Sequence, residues 1–154
     1  MISATHLHVM VIHFPIALIL TGFMFEIISL ITNQLFLKQS ALVLLIIGTL
    51  SVLVAYYTGN AAGDDMEEGT MAKAMKVHEQ AATFVLWISI ITATYYSLNY
   101  FLKMHVLWIR IVGIILFTLT VTAISRTGYL GGQLVYKHGA GVQLELPDFK
   151  NENK

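Results

Sequence analysis

The chain contains no cysteine among its 154 residues. Disulfides, cysteine-ligated iron–sulfur clusters and a covalent c-type haem, which needs a C-x-x-C-H run, are therefore excluded. Charge is the second scarcity. Only 12% of residues are Asp, Glu, Lys or Arg, about half the usual share of a soluble domain. Nine basic residues balance nine acidic ones, so the basic surface that nucleic acid requires is missing. No H-E-x-x-H pair supports zinc-protease chemistry, and no lipidation motif is visible.

What remains is apolar: 56% of residues are hydrophobic and the mean hydropathy is +0.72. Four stretches stand out, 9–31, 41–58, 78–102 and 106–126. Each approaches the ~20 residues that cross a bilayer core of ~30 Å. The first is too long for the apolar core of a secretory signal and no basic residue precedes it, so it reads as a true span. Residues 33–40 and 103–105 are tight turns, which predicts two antiparallel hairpins. The expected fold is all-α, an integral membrane four-helix bundle forming one domain over 1–154. Between the hairpins, 59–77 reads as a polar loop holding Asp64, Asp65, Glu67 and Glu68. Its second half, 67–76, could start the third helix early.

Orientation follows from the basic residues. The tight-turn side carries Lys38, Lys103 and Arg110 with no loop acid, whereas the other side mixes Lys73, Lys76, Arg126 and Lys137 with most carboxylates. The positive-inside rule makes the turns cytoplasmic, with both termini periplasmic and the protein in a bacterial inner membrane. The glycine-rich C-terminal segment, 127–154, is expected to fold back over the periplasmic face of the bundle, with a loose tail beyond Pro147.

Five of the six histidines then fall at one end: His6, His8, His13, His78 and His138. Imidazole is the commonest protein metal ligand. His13 lies within the first span, where an ionisable side chain normally faces the bundle interior. Pro15 beside it should bend the helix and make room for a bulky ligand. His8 points roughly 140° away around the helix, so the two do not easily grip one iron. His6 shares His13's face about two turns away and reads as interfacial. His78 opens the third helix, parallel to the first, and reaches the same depth. His138 is either lowered onto the site by the glycine-rich segment or left on the surface. His105, in the opposite turn, reads as a surface residue.

Facing histidines in a four-helix bundle are a standard host for haem. The expected centre is b-type haem, one or two per chain, with His13 and His78 as first axial pair. His8 and His138 would form a second pair or support the first. Phe14, Phe84, Trp87 and Met10 would wall the ring, and Arg126 would meet a propionate or serve as an interfacial anchor. Two axial histidines leave no open position, which suits electron transfer and not oxygen binding. The electron partners would be a quinol, a periplasmic cytochrome or a larger membrane complex. Zinc with three such ligands, or copper, is the alternative cofactor; a cofactor-free accessory subunit is the third reading.

Other polar positions carry weaker signals. Glu26 and Arg110 lie at similar depth and could pair; otherwise Glu26 serves proton delivery or a quinone site. Gly22, Gly48 and Gly113 read as close helix-packing positions. Tyr56, Tyr57, Tyr95, Tyr96 and Tyr100 fit an interfacial aromatic belt.

Several motifs stand together: His8 with His13-Phe14-Pro15-Ile16-Ala17-Leu18, Thr58-Gly59, His78, and Gly131-Gly132-Gln133-Leu134-Val135-Tyr136 with His138-Gly139 and Gly141-Val142. In this combination the chain resembles a bacterial family of small four-span membrane proteins, domain of unknown function 2231. The resemblance covers nearly the whole chain. It departs in having Val9 after His8, where the family commonly has proline. The resemblance implies the four-span topology and the grouping of these motifs. Some relatives look fused to, or neighbours of, c-type cytochrome segments, which implies redox work.

Overall fold

A computed structural model describes residues 3–63, 69–104 and 106–142. They form five helices: α1 Ala4–Val11, α2 His13–Thr32, α3 Leu35–Gly63, α4 Gly69–Phe101 and α5 Leu107–His138. Together α1 and α2 make one apolar span, interrupted at Ile12. Pro15 causes the interruption, because it has no N–H to return to the carbonyl of Val11 four residues earlier. Four helical stretches of 29 to 32 residues are long and apolar enough to cross a membrane.

Two boundaries differ from the expected loop and spans, the first in the direction that the early helix start within 67–76 allowed. The polar loop contracts, since α3 runs on to Gly63 and α4 already starts at Gly69. Residues 71–77, rich in Ala, Met and Lys, favour helix and contain no breaker. Asp64, Asp65, Glu67, Glu68, His105 and the tail containing Pro147 lie outside the described residues. The second difference is at the C-terminal end. Residues 127–138 do not fold back; they continue α5 as regular helix. Helix survives at Gly131 because it packs against the His78 ring, and Leu134 is buried. The stop comes at Gly139, in the left-handed region at φ 67°. Its N–H reaches the Val135 carbonyl, the bond of the αL motif, and that of Ala140 reaches Leu134, both at 3.0 Å. Gly141, φ 75°, then brings the chain against Thr5, where an added Cβ would lie 2.9 Å from Thr5 Cγ2.

The helices form a four-membered ring. The hairpins α2–α3 and α4–α5 join through α3–α4 and α2–α5 contacts, and α1 packs on α3. The diagonal helices α2 and α4 stand further apart and meet through side chains, Tyr96 of α4 reaching Glu26 of α2. Small residues allow the close approach: a Cβ on Gly48 would lie 2.8 Å from Ile19 Cγ1, and one on Gly113 would lie 3.2 Å from the Tyr96 ring. Phe117, Ile19 and Leu45 are fully enclosed, together with Ser89, Thr92 and Thr120. Phe117 meets the rings of Phe23 and Tyr96 edge-on, centroids 5.3 and 5.6 Å away.

The large apolar side chains mostly point outward. Phe14 is 62% exposed and Trp87 59%, with Phe84 and Met10 similarly placed. These four were expected to wall a haem, and the structure puts them on the outer surface instead. In a bilayer no hydrophobic force drives such residues inward, so the interior goes to small and hydroxyl-bearing ones.

Candidate functional site

Two imidazoles are turned into the bundle at the end carrying the first and last described residues. His8 is brought by α1, which lies on α3. Its ring rests on Gly59, where a Cβ would stand 2.9 Å from Cε1. His8 Nδ1 is 3.2 Å from Thr58 Oγ1. The Thr58 hydroxyl proton is already committed to the carbonyls of Val54 and Ala55, 3.0 and 3.1 Å away. His8 Nδ1–H therefore donates to Thr58, with the Ala55 main-chain carbonyl also beside the ring, and in the neutral ring this tautomer leaves Nε2 unprotonated.

His78 comes from α4 and rests on a glycine of the next helix in the same way. A Cβ on Gly131 would lie 3.2 Å from its Cε1. The Thr127 main-chain carbonyl lies beside the ring. His78 Nδ1 is buried and has no hydrogen-bond partner among the described residues. A buried polar atom without a partner is costly, and a bound ligand or ion is one way to meet that cost. The two rings lie within Coulombic reach of each other. The site thus presents two imidazoles, one of which, His78, has a buried nitrogen lacking a partner among the described residues.

The other candidate residues are not gathered there. His13 is exposed on the outer surface of α2, because the same 140° helical offset that turns His8 inward turns His13 away. His138 is exposed on the last turn of α5 and Arg126 is exposed on the same helix. His6 is exposed, and its main-chain N–H is capped by Ser3 Oγ at 3.2 Å. No three His, Asp or Glu side chains converge in metal-binding geometry among the described residues.

The glycines under the rings were missed as functional positions. Gly59 and Gly131 sit in sequence motifs, but their role becomes visible only when helices are paired. At the opposite end, Glu26 does not bridge to Arg110. Its Oε1 accepts from Tyr96 Oη at 3.4 Å, and its Oε2 is buried without a partner among the described residues. Tyr96 is therefore an interior residue and not part of an interfacial belt. Tyr95 also points to protein, donating to the Ile109 carbonyl at 2.8 Å.

The family described as "Predicted membrane protein (DUF2231)" matches residues 4–144, and the chain belongs to it. Neither the curated proteins nor the solved structures contain a match to this chain.

Proposed function

We propose that this member of the DUF2231 family is a membrane electron-transfer protein or subunit holding one b-type haem non-covalently between His8 and His78. The observation that carries the reading is the pair of glycine-seated imidazoles on α1 and α4, His78 with a buried nitrogen that lacks a partner among the described residues and His8 held through Nδ1 by Thr58. The donor set suits haem: two neutral imidazoles from facing helices, one oriented through its other nitrogen by a hydroxyl, as ligating histidines commonly are. A zinc centre would require a third protein ligand, and none converges among the described residues. The first axial pair expected from the sequence, His13 with His78, gives way to His8 with His78. His138, exposed, leaves no second pair.

Held by the His8 and His78 imidazoles, haem would supply a one-electron couple suited to electron transfer. The chain's own contribution is orientation. Thr58 fixes the His8 tautomer, the two glycines bring the rings close to the neighbouring helices, and the core below excludes water. We place this end on the periplasmic side of a bacterial inner membrane, because the tight turns carry Lys38, Lys103 and Arg110. A periplasmic electron carrier is then the natural partner, and Arg126 is free to meet a propionate or that partner.

Reduced-minus-oxidised spectra of the purified protein, with a pyridine haemochrome count, test this. The expected result is close to one haem b per chain, lost in His8→Ala and in His78→Ala but kept in His13→Ala and His138→Ala. Protein from haem-replete cells without Soret absorption, or full haem content in both His8→Ala and His78→Ala, overturns it.

A further inference from the structure

A cavity of about 780 Å³ opens between the two tight turns, at the end of the bundle away from His8 and His78. Its volume is that of a small-molecule site. Glu26 lines it, only 3% exposed. One carboxylate oxygen accepts the long bond from Tyr96, while Oε2 is buried with no partner among the described residues. An unsatisfied buried oxygen at bilayer depth is expensive. A ligand that donates a hydrogen bond to it removes that cost.

The other lining groups define the ligand's charge. Lys38, Lys103 and Arg110 are exposed along the cavity, and Lys38 and Arg110 lie within Coulombic reach of Glu26. A cationic ligand would face three like charges against one carboxylate. An anion would satisfy the basic side chains but bring a second negative charge to Glu26 and leave Oε2 without a donor. A neutral head carrying both a hydroxyl and an acceptor oxygen meets both demands. Much of the remaining wall is apolar, from Leu42, Phe101 and Ile109, which suits a ring or a hydrocarbon-bearing head arriving from the bilayer.

We propose that this cavity binds the head of a neutral, hydroxyl-bearing amphiphile of the quinol type, with one hydroxyl donating to Glu26 Oε2. Asn99 and the basic side chains are placed for the distal oxygen. The site is distinct from the histidine pair. Glu26 and His8 are separated by roughly 27 Å along the first span at 1.5 Å per residue. The proposal concerns binding alone and includes no electron step.

The chain has two tryptophans. Trp87→Phe leaves Trp108 as the sole reporter; it is 73% exposed and lies between the lining residues Leu107 and Ile109. Quenching of Trp108 in nanodiscs is titrated with a short-tailed benzohydroquinone, and with its dimethyl ether, read by displacement. The expected result is saturable binding, at least tenfold tighter for the hydroquinone. Glu26→Leu should abolish that preference, and Glu26→Gln should retain part of it through the amide oxygen. His8→Ala and His78→Ala should bind as the parent does, so failure of the haem reading leaves this test intact. Non-saturable quenching, equal affinity for the ether, a preference that survives Glu26→Leu, or stronger binding of an alkylammonium or alkylphosphate probe overturns the proposal.

Discussion

Gly59→Ala separates the geometry of the histidine site from the stability of the bundle. The added methyl would stand 2.9 Å from His8 Cε1, 3.3 Å from Nδ1 and 3.5 Å from Nε2. Carbon contacts settle at about 3.5–4.0 Å, so the ring must retreat by roughly 0.6–1 Å. The His8–Thr58 bond, at 3.2 Å, is already at the long end for N–H···O and does not survive such a displacement. Losing one neutral hydrogen bond costs about 1 kcal/mol. Replacing glycine by alanine inside a helix returns about 0.8–1 kcal/mol. The two nearly cancel, so the melting temperature should hardly move.

Ligand retention should respond quite differently. Disturbing a group that orients a ligating imidazole typically weakens metal binding by about 10–100-fold. Haem titration of the apoprotein, with helicity followed on heating, reads both quantities from one preparation. Gly132→Ala is the control on another helix, since nothing lies within 4 Å of its added Cβ. Wild-type haem affinity in Gly59→Ala would refute the reasoning, as would a fall in stability large enough to explain the ligand loss.

Three further outcomes are expected. Gly48→Ala puts a methyl 2.8 Å from Cγ1 of Ile19, a β-branched side chain with little rotamer freedom in helix. Overpacking of about 1–3 kcal/mol less the helical gain of ~1 leaves a net loss of about 0–2 kcal/mol in SDS-titrated micelles, and a deficit of about 1–3 kcal/mol against Gly132→Ala, which has the gain alone; a variant as stable as Gly132→Ala would contradict it. Thr92→Val removes the 2.9 Å contact with Thr120, and the same titration should show a loss of about 0.6 kcal/mol, the average for interhelical hydrogen bonds in a bilayer. Because the chain is cysteine-free, Gln34→Cys and Lys137→Cys report orientation directly: an impermeant maleimide should label Lys137→Cys in intact spheroplasts and Gln34→Cys only after lysis, and the reverse pattern would invert the assigned topology.

The spans, their pairing and the packing glycines were legible because each rests on a local rule. Apolar length marks a span, a short connection marks a hairpin, and glycine in a span marks close approach. Which face of each span looks inward was much less legible. In water, Phe14, Phe84 and Trp87 would have been natural core residues. Between lipid and protein their hydrophobicity does not choose a side, and the interior is set by Ser89, Thr92 and Thr120 instead. The same blindness affected the histidines. Sequence placed His8 and His13 on different faces of the helix, but only the packing of α1 on Gly59 showed which face was inside. The C-terminal segment misled for another reason: Gly131 and Gly132 read as turn signals, yet Gly131 is helical because it admits the His78 ring.

The interior between the two ends bears on how they cooperate. Phe117, Ile19 and Leu45 close the middle of the bundle. The hydroxyls near them are largely engaged with their own helices: Thr49 donates to Leu45, Ser89 to Leu86, and Thr92 and Thr120 to Ile88 and Leu116. A hydroxyl has one proton to give, so these groups satisfy the core and do not form a chain of free donors between Glu26 and His78. Distance blocks the electronic route equally, since exchange weakens steeply with separation and the ends lie roughly 27 Å apart along the first span. A redox role for the histidine end therefore calls for a partner on that same side. A hydroxylated ligand at the Glu26 end, if it donates electrons, must deliver them through another subunit. If both proposals hold, the chain would work as one component of a membrane assembly, with each end served from its own side.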